Sequence, residues 1–144
     1  MSHRYLHAVL DQQLINAINA TTLAPVLLTD LAVDNANFTP KVNRVWLAAS
    51  MQSPQRTYIG AGAGSIKQFR GTYTIAVIVP NGQGTSMAMQ LVDVLVDVVF
   101  KRQVLVTNDG FRVNIEDATA APTYPDGPWF RVPVVVSFSM YDTT

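Results

Sequence analysis

His3, His7 and Asp11 recur at i, i+4 and i+8, so on a helix they form one stripe of side chains of the kinds that ligate metals. The stripe stands apart from the leucine face of the same segment, lies at a frayed end and lacks a fourth ligand. A solvated helix face is therefore expected there, and no metal site. Gly60, Gly62 and Gly64 suggest a phosphate cradle, but they match neither G-x-G-x-x-G nor a phosphate loop with its Lys and Ser/Thr. Strands flank them where a helix would have to follow, so they read as a flexible hairpin tip. Acid–base catalysis needs convergent carboxylates, whereas the single glutamate, Glu116, precedes Asp117 at a strand end, where neighbours point to opposite faces. No serine sits in a G-x-S-x-G elbow. Arg44, Arg56, Lys67 and Arg70, with Tyr58 and Phe69 interleaved, have the outline of a nucleic-acid surface. The basic residues are few, so a solvated or protein-contacting hairpin is expected. Any contact with DNA passing nearby would follow backbone charge and ignore sequence. These residues point to no enzyme and no cofactor.

The composition agrees with a structural role. The 144 residues suit one domain spanning 1–144, large enough to bury a core without staples. Charged residues make up 14% and hydrophobic ones 49%, against about 25% charged in typical soluble domains. An exterior this poor in charge favours assembly. The formal net charge of +0 removes long-range attraction to duplex nucleic acid or an anionic membrane. The absence of cysteine excludes disulfides, thiolate nucleophiles and zinc–thiolate sites. The opening residues carry no apolar run with a cleavage site, and Leu91 to Phe100, broken by Asp93 and Asp97, is too short to cross a bilayer. A soluble protein is expected.

Several elements must position whatever surface the chain uses. Leu6, Leu10, Leu14 and Ile18 repeat every four residues and predict an amphipathic helix from about Ser2 to Ala20. Val26 to Leu28 is a short strand candidate, followed by a polar connector. Arg44 to Ser50 and the longer Lys67 to Val79 read as strands, and Met51 to Ile66 as a long, mobile hairpin connection between them. On the longer strand Phe69, Gly71, Tyr73, Ile75, Val77 and Val79 share one face, while Gln68, Arg70, Thr72 and Thr74 line the other. A second helix is predicted from about Thr85 to Lys101, with Thr85 or Ser86 as N-cap. Its only wet stripe is Gln90, Asp93, Asp97 and Lys101, which leaves more apolar surface than one face of a small domain needs. Met89, Val92, Val96 and Phe100 are accordingly candidates for packing between subunits. Val104 to Val106, the Asn108-Asp109-Gly110 turn and Phe111 to Ile115 predict a hairpin. In the last strand, Trp129 to Tyr141, Pro133 cannot donate to a ladder, so an edge, a bulge or one-sided pairing is expected there. The fold class is α+β: a largely antiparallel or mixed sheet, two main helices packed on it, and a projecting long β-hairpin.

This arrangement resembles the phage tail terminator family, the tail-completion proteins of long-tailed phages related to the lambda-type terminator. The resemblance rests on the leucine-spaced helix, the glycine-bearing hairpin, Phe69-Arg70-Gly71-Thr72-Tyr73-Thr74-Ile75-Ala76-Val77, and Val79-Pro80-Asn81-Gly82-Gln83-Gly84-Thr85. The segment Asp126-Gly127-Pro128-Trp129-Phe130-Arg131-Val132-Pro133-Val134 completes it. It implies a virion subunit, assembled in the host cytoplasm, that forms a ring of usually six copies at the head-proximal end of the tail. Such a ring stops polymerisation of the tail tube protein and offers a surface to the neck or connector protein. Arg56, Tyr58, Lys67 and Arg70 are the expected tail-facing or lumen-facing contacts. The rival readings are another virion ring protein, such as a tail-tube or neck subunit, and a small uncharacterised enzyme.

Overall fold

The computed structural model describes residues 3–24, 26–34, 38–40, 44–52, 54–60, 66–82 and 86–142, the last by its backbone. Ser53, Gly62, Gly64 and Thr85, one of the two N-cap candidates, lie outside the described residues.

The leucine spacing produces helix α1 (His3–Asn19), with Leu6, Leu10, Leu14 and Ile18 buried along one stripe. The chain continues through a 3₁₀ turn (Leu28–Asp30) into strand β1 (Leu31–Val33), so the strand forms slightly later than Val26 to Leu28. Strands β2 (Trp46–Met51), β3 (Gln55–Ile59) and β4 (Ile66–Pro80) follow, then helix α2 (Ser86–Val94). Strands β5 (Gln103–Val106), β6 (Arg112–Ala120), β7 (Tyr124–Asp126) and β8 (Trp129–Asp142) complete the chain. They form one mixed sheet in the order β1-β2-β4-β8-β6-β5, with β3 added to β4 and β7 to β8. Among the described residues only β1 and β2 pair in parallel, and the other ladders are antiparallel. The fold is α+β.

Two long central strands carry the architecture, and each changes its outer partner midway. β4 pairs with β3 through Arg70 and with β2 from Tyr73 onward. The change falls at Gly71, where a Cβ would stand 2.9 Å from the Phe138 ring and 3.1 Å from the Pro54 backbone, so only glycine lets the crossing chain and the ring approach. β8 passes from β7, which ends on Arg131, to β6, which begins on Val134. Pro133 sits in that gap, its carbonyl accepting from Ala121 N–H at 2.8 Å. N–H and C=O of one strand residue point to the same side, so the N–H that proline lacks would have faced the gap rather than β4. This is the one-sided pairing expected from its sequence position.

Both helices lie on one face of the sheet. Tyr73, Ile75, Val77 and Val79 of β4 and Val132, Val134, Val136, Phe138 and Met140 of β8 join the α1 leucines and Ala88, Leu91, Val92, Leu95, Val99 and Phe100 in one core. The opposite face carries a small aromatic cluster at one end, where Trp46 packs on Phe38 (ring centroids 4.9 Å apart) and Trp129 (6.0 Å), over Ile78 and Ala76. Away from the cluster that face carries Gln68, Arg70, Thr72 and Thr74 of β4 beside Ser137 and Ser139 of β8, and Val104 and Val106 of β5.

Two differences from the sequence reading have clear causes. The second helix does not stay α-helical to Lys101: Leu95–Val99 form a π-helical turn, closed by Phe100 N–H to Leu95 C=O at 2.9 Å. Val94, Val96, Val98 and Val99 are β-branched and crowd an α-helical turn, which favours the wider one. The connection between the second and fourth strands is not a bare loop, because Gln55–Ile59 within it form β3.

Candidate functional site

The end of the sheet at the β3–β4 hairpin is where the basic and aromatic candidates gather. Register pairing opposes Arg56 to Phe69 and Tyr58 to Lys67, so Arg56, Tyr58 and Lys67 stand on the helix-bearing face. The Arg56 guanidinium lies 5.3 Å from the centroid of the Tyr58 ring, and both residues are exposed. Arg70 does not join them. Lys67 and Arg70 differ by three in a period of two, so Arg70 stands on the opposite face, lining an open cleft with Gln52, Gln55, Thr72, Glu116 and Ser137. The hairpin is not a free two-stranded arm, because β8 runs beside it from Ser139 to Asp142.

The helix candidates separate by burial. Met89 is 39% exposed, and Met87 and Val98 join it as exposed apolar positions of the same segment. Val96 is half-buried against the core, while Val92 and Phe100 lie inside it and present no surface to another molecule. Helix excess thus reduces to three side chains, with Leu27 and Leu28 exposed on the connection after α1.

The stripe on α1 differs from a solvated face. Tyr73, from the centre of β4, donates its phenol proton to Asp11, and His7 lies between Asp11 (Nδ1 to Oδ2, 3.6 Å) and Asp34 (Nε2 to Oδ2, 3.8 Å). Burial first, then the charge and hydrogen bond of Asp11 and the charge of Asp34, push the Tyr73 phenol far above its ordinary value. The two His7 nitrogens face different carboxylates, so the three residues do not converge on one point. Among the described residues no group of three or more His, Asp or Glu could hold a metal ion. Asp34 also accepts Met51 N–H at 2.9 Å, which extends the β1–β2 ladder by a side chain. Glu116 is the extra residue of a bulge in β6, between Ile115 and Asp117, so the strict alternation expected of these neighbours is broken and both carboxylates lie by Ser137; Asp117 accepts the N–H of Ala118. None of these groups forms a nucleophile–base pair.

The sequence model for "Phage tail terminator protein" matches residues 6–138, nearly the whole chain. This chain belongs to the phage tail terminator family. It is a structural protein of the virion tail. A solved structure matches this terminator-family chain over 97% of its length and 96% of the other's, at 25% identity and a TM-score of 0.72. A chain from the virion of a native gene transfer agent particle matches over 98% and 100%, at 15% identity and a TM-score of 0.61. That second likeness is one of fold. No curated protein matches the sequence. Among the described residues no helix is long and apolar enough to cross a membrane.

Three parts of this terminator fold escape a reading of the sequence. β3 buries no residue, and the partners of Tyr73 and Arg44 are 62 and 14 positions away. Asp30, buried at 2%, accepts from Arg44 Nη2 at 2.6 Å and from Leu27 N–H at 3.2 Å, which fixes the start of β1. A lone aspartate before a short apolar strand is the only signal the sequence offers for that pair.

Proposed function

We propose that this protein is the subunit of a ring, of six copies, that caps the head-proximal end of a phage tail tube. The ring covers the surface to which the next tube subunit would add, and its far side presents a docking surface to the neck or connector. The family match over residues 6–138 carries this reading. The low charge and the exposed Met87, Met89 and Val98 support it.

The mechanism is steric. A closed ring of identical subunits is a heterologous assembly, so each copy needs two different patches that fit one another. Binding pays orientational entropy, and interfaces of about 1,600 Å² span micromolar to far tighter affinities, so the ring can depend on the tube end for full assembly. Arg56, Tyr58 and Lys67, gathered on one face of the hairpin, are assigned to the tail-facing or lumen-facing contact. Arg70, on the other face, is assigned to a separate contact.

Light scattering across a concentration series, with negative-stain imaging alone and on purified tail tubes, tests the reading. Closed rings near six subunits, and tubes whose growth stops on addition, are the expected result. Open tubes built from this chain would instead make it a tube subunit. The double variant Arg56→Ala/Lys67→Ala should melt like the parent yet cap tubes less well. Unchanged control of tube length by that variant would remove the hairpin from the contact.

A further inference from the structure

Among the described residues the sheet has two edges without a partner strand, at β5 and β3, and they are level with one another. β5 closes one side, and β3 closes the other at the hairpin end; among the described residues nothing pairs with their outer edges. The strand registers join them in one row: Val104 opposes Asn114, Asn114 opposes Ser139, Ser139 opposes Arg70, and Arg70 opposes Gln55. Five strands, β3-β4-β8-β6-β5, therefore lie side by side at the same height. Natural sheets guard exposed edges with lysine, proline, bulges or very short strands. β5 has none of these in Gln103-Val104-Leu105-Val106, and Val104 and Val106 are 53% and 59% exposed. β3 has five residues to the four of β5 and is exposed at all five positions. The edge at β1 is shorter, with three residues.

We propose that copies of this chain join by strand addition, the outer edge of β5 of one copy pairing with the outer edge of β3 of the next. The inference rests on the ring reading above and names its interface. Because the two edges are level, each copy follows its neighbour without climbing, which favours closure over a helical filament. β3 and β5 both run in the direction of β8, since each is separated from it by two antiparallel steps. Rotation about an axis along the strands preserves that direction, so the new ladder is parallel. Joining consumes both free edges and leaves Arg56 and Tyr58, which project from the face of β3, available to another partner.

The chain has no cysteine, so pairs of introduced cysteines report the interface directly. β5 and β3 of one copy are about 19 Å apart at about 4.8 Å per strand step. A disulfide needs Cα atoms within about 7 Å, so oxidation can link these edges only between copies. Val104→Cys is combined in turn with Gln55→Cys, with Thr57→Cys, and with Thr29→Cys before β1 as a control. Covalent multimers on oxidation in the presence of tail tubes are expected for at least one of the first two pairs and not for the control. Closed rings that give no such multimers, or multimers only with the control, would overturn the edge assignment while leaving the ring reading intact. Absence of closed rings both alone and on tubes would overturn the ring reading and the inference with it. The variant Val104→Lys/Val106→Lys, changed only at exposed positions, should keep the parent's melting temperature and lower the ring fraction at least tenfold. Unchanged assembly by that folded variant would overturn the proposal.

Discussion

The phenol of Tyr73, in the middle of β4, donates its proton to Asp11 on α1 and so ties the first helix to the centre of the sheet by a charge-assisted hydrogen bond. Tyr73→Phe keeps the ring in the core and leaves the Asp11 carboxylate without that donor. A loss of about 1.5–3 kcal/mol is expected, read from urea unfolding at pH 7.

The same pair sets a limit at alkaline pH. An unfolded tyrosine ionises near pH 10, whereas burial and the Asp11 charge hold the folded phenol neutral well beyond that. Below about pH 10 both states keep the proton and the contribution is complete. Above it the unfolded state releases the proton first, so stability falls as pH rises, by about 1.4 kcal/mol per unit for this group. Unfolding curves between pH 8 and 11 should show this extra slope in the parent and not in Tyr73→Phe.

Arg44 and Asp30 make a pair in which the carboxylate is buried and the guanidinium half-exposed, 2.6 Å apart. Arg44→Ala leaves a buried charge with one backbone donor, and a cost of about 3 kcal/mol follows. Chemical denaturation checks the size. The Asp30→Asn/Arg44→Met double variant should recover part of the loss, because it removes both charges together.

At Gly71 the expected change is steric. Gly71→Ala puts a Cβ against the Phe138 ring and the Pro54 backbone, and a cost of about 1–3 kcal/mol should appear as a lower melting temperature. Combining it with Phe138→Leu should reduce that cost, since one of the two obstructions is then removed.

Thr21 ends α1 with a positive φ of 60°, a backbone conformation that glycine adopts freely. Thr21→Gly should therefore raise stability, by about 1 kcal/mol. Thermal unfolding of this exposed substitution offers a test in the stabilising direction.

Burial decides which parts of this fold are legible in the sequence. The spacing of Leu6, Leu10, Leu14 and Ile18 and the alternation along Lys67 to Val79 and Trp129 to Tyr141 predict α1, β4 and β8 because each buries one face. The position of Arg70 opposite Lys67 is readable from the same alternation. β3 is invisible because all five residues are exposed and no apolar period marks it. β7 is hidden by Pro125, and the His7–Asp11 stripe reads as solvated because its partners, Tyr73 and Asp34, arrive through tertiary folding. The two helix candidates that proved to be core, Val92 and Phe100, show the same ambiguity in reverse: an apolar side chain does not declare which partner buries it.

The paired run of β4 with β8 has mechanical consequences. β8 contributes 14 residues to it, about 45 Å at 3.2–3.4 Å per residue, with no hinge where the neighbouring strands change. A push or pull on the hairpin at Ile66 is carried to Trp129 and Pro80 at the far end by one stiff beam. Load along that beam falls on many ladder bonds at once, in shear, so two partners gripping opposite ends would feel each other through it.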